Sequence, residues 1–326
     1  MRILLSRTDR IGDLILSTPA IATVRRSFPE AHITLVTSPY NNVVVERNRD
    51  VDECIPLPRS IRPERIGERF RGVDLAIALA PRTDDLRVVG ATRAAVRVGY
   101  TYERRYLARL TARLFLNRIA VSEADPALCE REPERVVRHE VDQLLDLVAL
   151  GGADKRVADL RLDIYPQDRA AVAQLPERPI VLHLAPRWFR DGSTLASTLE
   201  LARRLRTLPA PLVLTANAEV KEAVSAFESI GADAVLQDLP FFHWAAVFER
   251  AACVVTVDTG ATHVASAVRR PTLVAFEHRF FRLASQEWAP YRVPHRCAQK
   301  PESESPTALA LFRDEVVQGV TELLDA

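Results

Sequence analysis

Cysteine is sparse in this chain of 326 residues, and its spacing carries no pattern. Cys54, Cys129, Cys253 and Cys297 stand far apart, with neither the Cys/His spacing of a zinc site nor a disulfide framework. Long apolar runs are missing as well: nothing approaches the ~18 residues that a membrane span needs. At the N-terminus Arg7, Asp9, Arg10 and Asp13 interrupt what would be the apolar region of a signal peptide, so the expected location is the cytoplasm. The net charge of +1 excludes a nucleic-acid partner held by global charge. No Gly-x-Gly-x-x-Gly follows a strand in either half, which disfavours a dinucleotide oxidoreductase. Repeats of solenoid period and low-complexity tracts are absent too. Lysine is rare, three against 41 arginines, so any one arginine carries little weight by itself.

What is present is alternation. The length suits two domains of about 150 residues each. In the first half the pattern predicts strands at 2–5, 33–37, 52–56, 75–79 and 96–99. Helices are expected at 14–26, 41–47, 62–71, 82–90 and 134–150. A stretch holding Pro166, Pro176 and Pro179 breaks the rhythm, which places the domains at 1–160 and 161–326. The second half restarts with strands at 180–184, 212–215, 234–236, 254–257 and 272–276 and helices between them. A last helix is expected at 305–324. Strand–helix alternation implies parallel sheets with ligands at the strands' carboxyl ends.

Two segments carry chemistry. From Val254 to Val257 a buried strand runs into Asp258-Thr259-Gly260, and a slim helix follows at once. The first N–H groups of such a helix have no internal partner and carry partial positive charge. A diphosphate fits there, with Gly260 letting the backbone approach and Thr259 adding a hydroxyl. An ordinary capped helix suits the same residues. The chain also opens on a strand and a polar loop holding Arg7 and Arg10. Gly12-Asp13 then begins a helix that contains Ser17, Thr18 and Pro19.

In this order the two segments resemble glycosyltransferase family 9, the bacterial heptosyltransferases. The matching residues are Arg7, Gly12-Asp13, Ser17-Thr18 and Pro19, then Asp258-Thr259-Gly260 with His263. Between them Val73–Leu79, Arg97–Tyr100 and the span from His139 to Gly151 also resemble family segments. The resemblance implies an α/β fold of GT-B architecture, two Rossmann-like domains facing a central cleft, with the last helix crossing back to the first domain. It further implies an inverting, metal-independent transfer of heptose from ADP-heptose to a lipopolysaccharide core or related glycan. The nucleotide sugar is then a co-substrate, and no cofactor is expected. An anionic glycolipid or glycan acceptor goes with this, as does peripheral contact with the cytoplasmic face of the inner membrane.

The same resemblance makes Asp13 the general base, kept ionised by Arg7, Arg10 and the helix N-terminus. Asp258, Thr259, Gly260 and His263 become the diphosphate site. No carboxylate group has metal spacing, so a protein cation must neutralise the phosphates. Relatives supply a lysine just before a tryptophan, after the first strand of domain two. This chain instead reads Pro186-Arg187-Trp188-Phe189-Arg190, with Arg190 the expected substitute and Arg187 the second choice. A further departure is Glu277, where relatives have glycine. Asn217 and Glu219 are expected near the nucleoside.

Arg7, Arg10, Arg104 and Arg105 are expected on the acceptor side. From Arg97 to Arg118 six arginines and one acid interleave with Tyr106, Leu107, Leu110 and Leu114. That is a basic amphipathic segment, suited to an anionic ligand or a membrane surface. A helix with its apolar side in the core fits equally. Two alternatives stay open: another nucleotide sugar or acceptor, or a non-catalytic nucleotide-sugar-binding or scaffold protein of the same fold.

Overall fold

The computed structural model describes residues 1–103, 105–125, 131–132 and 134–325, so Arg104 and Cys129 lie outside the described residues. The chain forms two compact units, Met1–Leu162 and Asp163–Ala326, which puts the boundary within two residues of the expected one. In the first unit the strands are β1 (Arg2–Ser6), β2 (His32–Thr37), β3 (Glu53–Pro56), β4 (Leu75–Ala78), β5 (Val96–Tyr102) and β6 (Arg118–Ser122). In the second they are β7 (Ile180–Leu184), β8 (Leu212–Ala216), β9 (Ala234–Gln237), β10 (Cys253–Val257), β11 (Thr272–Phe276) and β12 (His295–Gln299).

The two sheets are wholly parallel and ordered β3-β2-β1-β4-β5-β6 and β12-β11-β10-β7-β8-β9. Counted within its own unit, each reads 3-2-1-4-5-6, the doubly wound Rossmann order. Register is direct: Ile3 lies opposite Ile33 on one side and Leu75 on the other, and Cys253 lies opposite Ile180. The order reverses at β1/β4 and again at β7/β10. Ligands of such sheets bind outside the strand ends at that switch point. Both sequence-predicted turns leave strands that flank one.

Central strands explain themselves. All five residues of β7 and of β10 are buried, and apart from His183 and Thr256 both strands are apolar, as parallel sheets covered on two faces favour. The sixth strand of each sheet was not expected. Both lie at an edge, and β6 and β12 each have only one fully buried residue. An edge strand pairs on one side and needs less apolar pattern to hold its place.

The first helix, Ile11–Ser27, contains Pro19. Proline has no N–H, so the Ile15 carbonyl loses its usual donor. Thr18 Oγ1 donates to that carbonyl at 2.7 Å and accepts the Arg161 N–H at 2.9 Å. Thr-Pro here is a self-repairing pair. The helix expected at 41–47 shrinks to a single 3₁₀ turn, Asn42–Val44. Asn41 Oδ1 takes the Ser38 N–H and Asn42 Oδ1 takes the Thr37 hydroxyl, a local pattern that competes with helix formation. The helix expected from 134 begins at Glu140, because His139 Nδ1 caps it by accepting the Val141 N–H at 3.2 Å.

The terminal helix spans Pro306–Leu324, close to its expected bounds. Phe312, Val316, Val320 and Leu323 lie in the core of the second unit with Leu182, Val255 and Leu273. Arg313 also donates to Ser197 on the neighbouring Leu195–Leu205 helix at 3.0 Å. The apolar face of the terminal helix packs on the sheet of its own unit.

Candidate active site

At the first switch point one arginine is surrounded by carboxyl groups. Arg7, just beyond β1, is 2% exposed. Its Nη1 donates to the Leu79 carbonyl past β4 and to Glu140 Oε1 at 3.1 Å. Its Nε donates to Asp9 Oδ1 at 3.0 Å, and Nη2 lies 3.5 Å from Asp13 Oδ1. Tyr100 on β5 adds a hydroxyl to Glu140 Oε1 at 3.0 Å. The loop that carries these groups is fixed from below. Ser6 and Thr8 hydroxyls donate to the two oxygens of Asp85 at 2.6 and 2.9 Å, and burial pushes Asp85 up to about 7.

Asp13, in the first turn of its helix, keeps 24% of its side chain exposed, whereas Glu140 keeps 4%. Of the carboxyls around Arg7, Asp13 is the one with the more open side chain. Its expected low pKa is corrected. Burial raises the proton affinity of Asp13 above that of an ordinary carboxylate, and Glu140 adds to this against the pull of Arg7 and Arg10. Desolvation outweighs the arginines because Arg7 is shared among several carboxyls.

At the second switch point the corresponding loops follow β7, β10, β11 and β12. Asp258-Thr259-Gly260 leaves β10 half-buried and opens the Gly260–Ala267 helix. Thr259 Oγ1 turns back to the Val257 carbonyl at 3.2 Å, so no side chain caps the first helical turn. Those N–H groups are what an anion would meet. His263 lies one turn further on and is 5% exposed; solvent reaches the turn before it reaches the imidazole.

The cation at this turn is Arg187. From the 3₁₀ turn Pro186–Phe189 its Nη1 reaches the Asp258 carbonyl at 2.8 Å and the Asp258 carboxylate at 2.5 Å. Its Nε lies 3.5 Å from Glu277, the residue past β11 that departs from the family pattern. Arg190, the first choice from sequence, is 61% exposed and pairs with its neighbour Asp191. The order of the two is reversed because Trp188 is fully buried, its Nε1 donating to the His183 carbonyl at 2.9 Å. The anchored indole leaves Arg187 beside Asp258.

Sequence reasoning missed Lys300. This lysine, just past β12, is 1% exposed, and its Nζ donates to the carbonyls of Arg187 and Arg190, the latter at 2.7 Å. It holds the Arg187 turn from inside. Gly192 completes the contact: its φ is +85°, and a Cβ there would stand 2.0 Å from the Pro301 carbonyl. A signal was available, since Lys300 is one of three lysines in a chain with 41 arginines. Burial lowers the Lys300 pKa to about 8. Between about pH 8 and 10.5 the unfolded chain therefore holds a proton that the folded one has released, and stability rises with pH. The expected rise is about 3 kcal/mol. Urea unfolding across that window measures it, and Lys300→Met should flatten the curve. A variant that keeps the full rise would mean that Lys300 is not the titrating group.

The remaining expected residues scatter. Asn217 and Glu219 are exposed beyond the end of β8. Arg10 is exposed at the N-cap of the first helix. Arg105 is exposed and stacks over the Tyr102 ring at 4.6 Å, far in sequence from Arg7. Among the described residues no group of three or more His, Cys, Asp or Glu could hold a metal ion.

Solved structures share this fold over nearly the whole chain. A glycosyl transferase family 9 protein from Veillonella parvula superposes with a TM-score of 0.77 at 17% identity, covering 99% of this chain and 97% of its own. The E. coli ADP-heptose lps heptosyltransferase II gives 0.71 at 19%, with 99% and 98% covered. The E. coli heptosyltransferase WaaC with ADP gives 0.68 at 19%, with 99% and 100% covered. No curated protein matches the sequence. The chain is thus a two-domain α/β protein of the GT-B class. Residues 200–308 match the family model for glycosyltransferase family 9 (heptosyltransferase).

Proposed function

We propose that the chain is an inverting glycosyltransferase that moves heptose from ADP-heptose to an anionic lipopolysaccharide-core or related glycan acceptor. The observation that carries the reading is Asp13: a partly open carboxylate at the first switch point, with proton affinity raised by burial. In the proposed step an acceptor hydroxyl attacks the anomeric carbon and gives its proton to Asp13. The bond from that carbon to the diphosphate breaks, and its electron pair leaves with the phosphate oxygen. One base and one displacement invert the centre; no second nucleophile is required. The Asp258-Thr259-Gly260 turn and Arg187 receive the growing negative charge. ADP as the nucleotide is supported by the similar fold of WaaC, whose structures hold ADP and ADP-2-deoxy-2-fluoro heptose.

Thermal-shift titration with ADP, UDP, GDP and CMP tests the donor: ADP should give the largest stabilisation. Transfer in the presence of EDTA tests the charge neutralisation. Most activity should persist, and a strict requirement for Mg²⁺ or Mn²⁺ would remove the assignment to protein groups. One observation favours a neighbouring reading with a different donor sugar. Glu277 stands beside Arg187, where it adds a carboxylate to the donor site. A larger shift with a nucleotide other than ADP would select that reading.

A further inference from the structure

Asp85 is a buried acid that the proposed sugar chemistry leaves unused. It stands in the first turn of the Thr83–Ala91 helix, fully buried, against the loop that joins β1 to the first helix. That loop, residues 7–10, carries Arg7 and Asp9 and leads into Asp13. Two contacts fasten it to Asp85, one on each carboxyl oxygen: Ser6 Oγ at 2.6 Å and Thr8 Oγ1 at 2.9 Å. Both donors are neutral.

Arg7 pulls on the charge of Asp85, but its guanidinium is spent on the Leu79 carbonyl, Glu140, Asp9 and Asp13. Asp9 pushes in the opposite sense. The other elements packed on the Thr83–Ala91 helix bring no spare cation. β4 has no titratable residue. On β5, Tyr100 donates to Glu140, and Arg97 donates to the Phe115 and Ala94 carbonyls. On the Pro63–Arg69 helix, Glu64 pairs with Arg87, and Arg65 with Glu68, all exposed.

A carboxylate so placed has lost its water without gaining a cation, which favours the neutral acid. Burial accordingly holds its proton up to about 7. A hydroxyl can accept as well as donate, so the same two contacts also serve the protonated group. Thr8 sits half-buried on the carboxyl, and lifting the loop would admit water there.

We propose that Asp85 is a positioning residue, a proton-operated clasp under the loop. The neutral acid keeps residues 7–10 down, with Arg7 beside Asp13, and ionisation drives the loop to lift and hydrate the carboxylate. The clasp belongs to the fold and holds whether or not the chain transfers sugar; its effect on Asp13 rests on the proposed function.

Two measurements on the full chain test the clasp. Between about pH 4 and 7 the folded protein keeps a proton that the unfolded one has released, so stability falls as pH rises. Asp9 and Asp13 add to this slope, and Asp85→Asn isolates the share of Asp85. From pH 5 to 7 the unfolding constant of the wild type should rise about 50-fold relative to that of the variant. Amide hydrogen exchange across residues 6–10, corrected for its chemical pH dependence, reads the loop. Its protection should fall at least about fivefold from pH 5.5 to 7.5 in the wild type and stay level in Asp85→Asn. Thr8→Val removes a donor from the ionised form and should move both transitions to higher pH, which keeps the clasp testable if Asp85→Asn does not fold.

Parallel unfolding slopes in wild type and Asp85→Asn would overturn the proposal, as would loop protection that ignores pH. On the proposed function, activity also acquires an alkaline limb that Asp85→Asn removes. An active enzyme whose alkaline limb survives that substitution overturns the positioning role. A chain without transferase activity that still shows the exchange difference overturns the proposed function alone.

Discussion

If Asp13 is the base proposed above, replacing it by asparagine lowers turnover by about 10²–10⁴-fold, roughly 3–5 kcal/mol of barrier, while nucleotide binding stays nearly intact. The asparagine keeps the size and part of the polarity but cannot take the acceptor proton. Asp13 must be ionised to act, and burial makes it hold its proton to higher pH than a free carboxylate. The acid limb of kcat/KM should therefore lie above the ordinary carboxylate value of about 3.9. Glu140 contributes to that elevation through its charge. Glu140→Gln should move the limb to lower pH, with an amide oxygen still able to accept from Arg7 and Tyr100. Turnover of the Asp13→Asn enzyme within threefold of wild type would remove Asp13 from the mechanism.

On the proposed reading, Arg187→Ala reduces kcat by about 10²–10³-fold, because charge on the leaving diphosphate grows in the transition state. Arg190→Ala should stay within about twofold, since that guanidinium is solvated and pairs with the neighbouring, exposed Asp191. Arg187→Lys should recover part of the loss: an ammonium can meet a phosphate but cannot reach Asp258 and Glu277 from separate nitrogens of one planar group. Steady-state kinetics on the three variants distinguishes the residues. A silent Arg187→Ala beside a crippled Arg190→Ala would reverse the assignment that the geometry makes.

The central strands and both switch-point turns were legible in the sequence. Central parallel strands such as β10 are largely apolar, and the turns that follow them are small and polar. Their linear pattern states their place. What was hidden depended on the third dimension. β6 and β12 are edge strands with one fully buried residue each, so burial imposes little pattern on their sequences. The choice between Arg187 and Arg190 turned on which way a buried indole pulls a short turn, and spacing does not report that. Asp13 was read beside two arginines, but three-dimensional packing adds Glu140, over a hundred residues away, and the burial that outweighs them. Lys300 reaches the Arg187 turn across a similar sequence distance. Pro19 is instructive in the other direction: Thr18 beside it was visible, but the Arg161 N–H that shares its hydroxyl was not.

Arg187 begins with its donors already engaged, by Asp258 and by the more distant Glu277. On the proposed reading, a diphosphate enters as a competitor, and the resident carboxylates set a threshold that it must exceed. An intact nucleotide sugar carries less negative charge than the diphosphate it becomes, so it competes less well than the group being formed. The competition tilts further towards the phosphate as the glycosidic bond stretches, which favours the departing group over the arriving one. The same tilt persists after the sugar has gone. The spent nucleotide becomes the strongest rival for the guanidinium, and its escape, with Asp258 and Glu277 reclaiming Arg187 behind it, becomes a natural brake on the cycle.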